Sequence, residues 1–170
     1  MPNTLAANHI GAVILAGGRG MRMGGVDKGL QLFRGRPMVA HALERLRSQT
    51  LGCPALIGIN ANRHLDLHTQ HHANVWPDAL EGFAGPLAGF LTALEHCQQQ
   101  PGIDYLLTVP CDSPLFPLDL LERMAEALVS ANADIAMASA SEADDDGTVR
   151  TRSQPVFCLM RTQLLPSLRA

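Results

Sequence analysis

From Ile10 to Ala16 the chain is unbroken by any polar side chain, and a run of that length suits a central parallel strand covered on both faces. The period changes after Pro37, which can open a helix; Met38, Val39, Ala42, Leu43 and Leu46 then recur at helical spacing. Pro54 to Ile59 reads as a second strand ending at Asn60, residues 63–72 as a helix, and Val75-Trp76 as a short third strand. Leu87, Phe90, Leu91 and Leu94 form the apolar stripe of an amphipathic helix, and Asp104 to Val109 is the next strand. Pro117 opens another helix, with Leu121, Met124, Ala125 and Leu128 inward; strands at Ile135 to Ala138 and Val156 to Met160 flank a polar loop, Glu142 to Gly147. Strands joined by helices in this rhythm imply an α/β fold: a doubly wound, mostly parallel sheet with helices on both faces and right-handed crossovers. No internal repeat or linker interrupts the pattern, so the expectation is one domain over residues 1–170.

In an open sheet of this kind ligands bind at the carboxyl ends of the strands, near the point where strand order reverses. Four sequence features follow strands directly: a glycine-rich loop after the first, Asn60 after the second, Asp78 after the third, and Asp112 after the strand at Asp104. In the loop, Gly17, Gly18, Gly20, Gly24 and Gly25 remove the Cβ atoms that would keep backbone N–H groups from a ligand, while Arg19, Arg22 and Lys28 bring positive charge. That combination reads as a polyphosphate cradle. It is not a P-loop, because Lys28 is followed by Gly29 where a hydroxyl is needed. Nor is it a dinucleotide fingerprint, since Met23 stands where the third glycine belongs and no acidic residue closes the second strand.

Arg22 and Lys28 are suited to neutralising a triphosphate and stabilising charge on a transferring phosphorus. Asp112, held between Pro110 and Pro114, suits a hard cation such as magnesium, which takes few protein carboxylates; the same position also suits a turn cap. Asn60 offers a donor and an acceptor to a base or ribose, or can serve as a turn residue.

Composition narrows the partners. Thirteen basic against sixteen acidic residues give a net charge of −3, so no global field draws in nucleic acid and any anion is met by a local cluster. Four scattered cysteines without a C-x-x-C pair read as reduced thiols of a cytoplasmic protein, and no stretch has the length of a membrane span. His64, His68, His71 and His72 read as a solvated helix and not as a zinc site, and the acidic run from Glu142 to Asp146 as a solvated loop.

The stretch from Leu15 to Lys28 matches L-A-G-G-x-x-x-R-M-G-G-x-D-K and resembles the molybdenum cofactor guanylyltransferases. The resemblance continues through Asn60-Ala61-Asn62-Arg63, Asp78, Gly85-Pro86-Leu87-Ala88-Gly89 and Pro110-Cys111-Asp112-Ser113-Pro114. It implies a Rossmann-like nucleotidyltransferase fold and transfer of a guanylyl group from GTP to molybdopterin carrying molybdenum, with release of pyrophosphate. It further implies that Leu15, Ala16, Gly17 and Gly18 meet the nucleotide, Lys28 its phosphates, Asn60 and Asp78 its nucleoside part, and that Asp112 binds magnesium. Transient contacts with other proteins of cofactor synthesis or delivery are expected, and none with nucleic acid or membrane. Members of that family continue to an N-x-N-T-P-E-E segment that this sequence, ending at Ala170, does not contain. Two alternatives accompany this reading: a cytidylyltransferase for the same cofactor, and a nucleotide-binding carrier or regulatory protein without turnover.

Overall fold

The computed structural model describes residues 5–17, 27–79 and 85–169. In chain order these form β1 (Ile10–Leu15), a two-stranded ribbon β2 (Leu32–Phe33) and β3 (Arg36–Pro37), α1 (Met38–Arg47), β4 (Leu56–Asn60), α2 (Leu65–Thr69), β5 (Asn74–Trp76), α3 (Pro86–Gln98), β6 (Tyr105–Pro110), α4 (Leu120–Ser130), β7 (Ile135–Ala143), β8 (Val149–Arg161) and α5 (Leu165–Arg169). Six strands make one sheet in the order β5-β4-β1-β6-β8-β7. The first four run parallel, and β8 is antiparallel to both of its neighbours.

The two-residue period of β1 divides the core between two layers. Ile10, Ala12 and Ile14 point to one side, where they join Val39, Ala42, Leu43 and Leu46 of α1 and Leu121, Met124, Ala125 and Leu128 of α4. Val13 points to the other and joins Phe90, Leu91, Leu94 and Cys97 of α3 with Leu165 of α5. The stripes read from the sequence are the buried faces except in the first turns of α1 and α3, at the sheet edge, where Met38 is half-buried and Leu87 is 50% exposed, and the doubly wound, mostly parallel sheet is present.

The helix expected at Pro117 begins only at Leu120, the β2–β3 ribbon and α5 were not anticipated, and two further elements differ more deeply from expectation. The helix expected over residues 63–72 contracts to α2, because His64 and His72 adopt left-handed backbone angles of φ 48° and 55° that an α-helix does not accommodate. At the far edge, β7 and β8 extend well beyond the expected strands and form an antiparallel hairpin around residues 144–148. The outer half of this hairpin is exposed, so no apolar alternation marks it, and cross-strand charge holds it instead. Arg150 Nε lies 2.9 Å from Asp144 Oδ2 and Arg152 Nε 3.4 Å from Glu142 Oε2, while Asp146 Oδ1 accepts from Thr148 N at the turn. The acidic run is thus largely a paired strand end and turn, not a free loop.

Candidate functional site

Strand order reverses between β1 and β6: β1 is followed across α1 by β4 on one side, whereas β6 lies on its other side. The parallel strands β5, β4, β1 and β6 all end at one sheet edge, which delivers Asp78, Asn60, Gly17 and Asp112 to the same crevice. The end of β1 joins the two halves. Ala16 N donates to Asn60 O at 2.8 Å, and Leu15 O accepts from Cys111 N at 3.2 Å, so the ladder continues just past the strand ends on either side.

On the β4 side the polar groups form a closed network. Asn60 is buried, and its Nδ2 donates to Trp76 O at 2.9 Å and to Asp78 Oδ1 at 2.8 Å. Asn62 Nδ2 donates to the other carboxylate oxygen, Asp78 Oδ2, at 2.7 Å, and Asn62 Oδ1 accepts from Asp78 N at 2.7 Å. Asn62 Nδ2 also lies 3.3 Å from Gly17 O, which brings the loop after β1 into the network. Asp78 is thereby held at both oxygens and at its own backbone. Asn62 was not among the sequence candidates; the available signal was a second asparagine two residues after Asn60, the spacing that returns a side chain to the same side of an extended segment.

Glycine is required here by close approach. A Cβ on Gly17 would lie 2.8 Å from Asn60 Oδ1 and 2.9 Å from Asn62 Nδ2, and one on Gly89 would lie 2.5 Å from both Asn60 Oδ1 and Leu15 Cδ2. The Gly-Pro-Leu-Ala-Gly run accordingly lets α3 press against the amide that positions Asp78.

On the β6 side, Lys28 Nζ donates to Asp112 Oδ2 at 3.0 Å, both side chains being close to half exposed. The hydrogen bond to this carboxylate, and then its charge, raise the lysine pKa above its ordinary value. Lys28 opens a short 3-10 turn, Lys28–Leu30, capped by Asp27, whose Oδ1 accepts from Gly29 N at 3.0 Å. Asp27 Oδ2 lies 3.0 Å from Nε2 of His68, whose side chain is fully buried. The expectation of a solvated histidine helix therefore fails at His68. Cys111, beside Asp112, belongs to the core, and burial pushes its thiol pKa up to about 12.

A cavity of about 740 Å³ opens beside Asp112, between the loop after β6, α4 and the hairpin, lined by Phe116, Arg123, Met124, Met137, Gln154 and Phe157 among others. Among the described residues no cluster of three or more His, Cys, Asp or Glu side chains could enclose a metal ion. The donor set is instead one half-exposed carboxylate, which fits a hard cation that completes its shell with water and phosphate oxygens. Of the sequence candidates, Leu15, Ala16, Gly17, Asn60 and Asp78 are linked in one network, and Lys28 and Asp112 in one ion pair across the switch point. Gly18 and Arg22 lie outside the described residues.

A doubly wound sheet with its polar residues gathered at the switch point defines an α/β protein with a polar crevice at that edge. The fold is shared with the solved 4-diphosphocytidyl-2C-methyl-D-erythritolsynthase from Anaerococcus prevotii DSM 20548, at 16% identity and a TM-score of 0.67, covering 96% of this chain and 74% of that one. A solved protein of Mycobacterium tuberculosis H37Rv matches at 19% identity and a TM-score of 0.65, covering 96% and 76%. The chain belongs to the MobA-like NTP transferase domain family, whose model matches residues 12–170. Its relatives include proteins named molybdenum cofactor guanylyltransferase from Albidiferax ferrireducens, 57% identical over 96% of this chain and 75% of the relative, and from Bordetella pertussis, 52% identical over 95% and 75%. One from Ralstonia pickettii is 48% identical over 96% of this chain and 76% of the relative. Among the described residues no helix is long and apolar enough to cross a membrane.

Proposed function

We propose that this chain transfers the guanylyl group of GTP to the terminal phosphate of molybdopterin carrying molybdenum, forming the guanine dinucleotide cofactor and releasing pyrophosphate. The observation that carries the reading is the Lys28–Asp112 pair facing the Asn60–Asn62–Asp78 network across one switch point, in a chain whose relatives bear the guanylyltransferase name. The relatives' name also favours guanine over the cytidylyl alternative.

In this reading the backbone of Leu15, Ala16, Gly17 and Gly18 lies along the nucleotide, and Asn60 and Asp78 hold its nucleoside part. Asp78, already fixed at both oxygens, offers a rigid acceptor to ring or ribose N–H and O–H donors. Lys28 and Arg22 neutralise the triphosphate. A pterin phosphate oxygen attacks the α-phosphorus, the bond from that phosphorus to the β-bridging oxygen breaks, and pyrophosphate leaves with the bond electrons. No covalent intermediate on the protein is needed, because positioning and charge stabilisation supply most of the catalysis of such transfers. Asp112 would hold magnesium, which when bound would neutralise developing charge on the phosphate oxygens. Lys28 contributes a mobile ammonium that can exchange its carboxylate partner for a phosphate oxygen without leaving the crevice.

The test is product analysis with GTP or CTP, magnesium and molybdenum-loaded molybdopterin. Pyrophosphate and a guanine dinucleotide are expected from GTP and little product from CTP. Equal use of CTP would overturn the guanine assignment, and GTP binding without any pyrophosphate would make the chain a carrier.

A further inference from the structure

Next to Lys28, among the described residues, lies a buried pair of ionisable groups to which the proposed chemistry gives no part. His68 lies on the short helix α2, yet its side chain is fully buried, and it faces Asp27, whose side chain is only 7% exposed. Its Nδ1 has no hydrogen-bond partner among the described residues. Since Nε2 lies 3.0 Å from a carboxylate oxygen, that nitrogen is the one that carries a proton toward Asp27. Gly29 is fitted around the ring: a Cβ there would lie 3.2 Å from His68 Cε1. Both oxygens of Asp27 are thus occupied, one by Gly29 N–H and the other by His68.

The next residue is Lys28. A buried carboxylate stripped of a donor takes the nearest cation, because leaving it uncompensated is costly. Lys28 carries a rotatable ammonium on a flexible stem one residue away, so Asp27 and Asp112 are competitors for it. In the structure Asp112 holds it, at 3.0 Å. We propose that His68 is a positioning residue: by donating to Asp27 and occupying its second oxygen it keeps the Lys28 ammonium directed to Asp112 and to the triphosphate. This rests on the phosphate-binding role of Lys28 proposed above.

The experiment measures calorimetric binding of GTP with magnesium to the whole chain, with circular dichroism to confirm folding. Lys28→Ala sets the full loss. His68→Leu is expected to weaken binding about tenfold, the size of one charge-assisted hydrogen bond. His68→Gln, whose amide N–H can stand in for Nε2, should return to within about twofold of the parent. The double variant His68→Leu/Asp27→Asn should recover as well, because the competing charge is gone. A histidine needed only for packing gives a different result, a double variant as weak as His68→Leu, and that overturns the proposal, as does parental binding by His68→Leu. If His68→Leu does not fold, His68→Met replaces it in both single and double variants. Parental binding by Lys28→Ala would overturn the phosphate role of Lys28, and this proposal with it; a weakened Lys28→Ala beside a parental His68→Leu would overturn this proposal alone.

Discussion

Asp112→Asn separates a functional carboxylate from a structural one, because the two readings demand opposite outcomes. The stability cost follows from the geometry: the ion pair with Lys28 is 3.0 Å long, but the side chains are 46% and 42% exposed, so solvent screens it. Such a pair contributes about 1 kcal/mol or less, and for a chain of this size that lowers Tm by no more than about 4 °C. The amide keeps the shape and the hydrogen-bonding capacity of the turn, yet it loses the charge a hard cation requires. We therefore expect transfer to fall by about a hundredfold or more, roughly 3 kcal/mol of barrier, with magnesium-free nucleotide binding largely kept. The assay is pyrophosphate release titrated against magnesium for parent and variant, alongside thermal melts. A rate within about threefold of the parent, at unchanged magnesium dependence, would refute the reasoning and leave Asp112 as a turn residue and ion-pair partner. The melts contain an internal control. Because Asp112 raises the Lys28 pKa above its ordinary 10.5, the pair's stabilisation is fully present below that value and is lost as pH rises through the raised one. The Tm difference between parent and variant should accordingly vanish at strongly alkaline pH.

Asn60→Ala removes two hydrogen bonds from a buried site and orphans Trp76 O and Asp78 Oδ1; urea unfolding should show a loss of about 2–4 kcal/mol, accompanied by weaker GTP binding in calorimetry. Gly17→Ala places a Cβ 2.8 Å from Asn60 Oδ1 and 2.9 Å from Asn62 Nδ2, so one amide must shift; GTP affinity should fall about tenfold while the melt changes little, and unchanged affinity would dissociate this contact from the site. Cys97 and Cys111, with pKa values pushed up to about 12 by burial, should resist thiol reagents at pH 8 in the native protein while exposed Cys53 reacts, as mass spectrometry of the labelled chain would show. The same thiols make the fold alkali-sensitive: the unfolded groups ionise from about 9 and the folded ones near 12, so this stabilisation is intact below pH 9 and is lost across that interval, which denaturation at stepped pH would show.

The amino-acid sequence by itself determined the layers. An uninterrupted apolar run at β1 and the helical stripes of α1, α3 and α4 each depend only on local period, and each turned out to be the buried face apart from Met38 and Leu87 in the first turns of their helices. Strand ends were legible for the same reason, so Asn60, Asp78 and Asp112 could be named individually from positions just beyond a hydrophobic segment. What the sequence did not contain was which of these side chains meet. That Asn60 and Asn62 clamp the two oxygens of Asp78, that Lys28 spans 84 positions to Asp112, and that Asp27 turns from its neighbour Lys28 to His68 are outcomes of strand order. Local pattern also failed where burial and chemistry part company. His68 looks like one of four histidines on a polar helix, and only the packing of α2 against the turn at Gly29 makes it a buried partner of a carboxylate. The long β7–β8 hairpin shows the converse: its outer half buries nothing, so no hydrophobic period announces it, and backbone pairing with cross-strand charge, which exist only once both strands are in place, decide its length and its antiparallel sense.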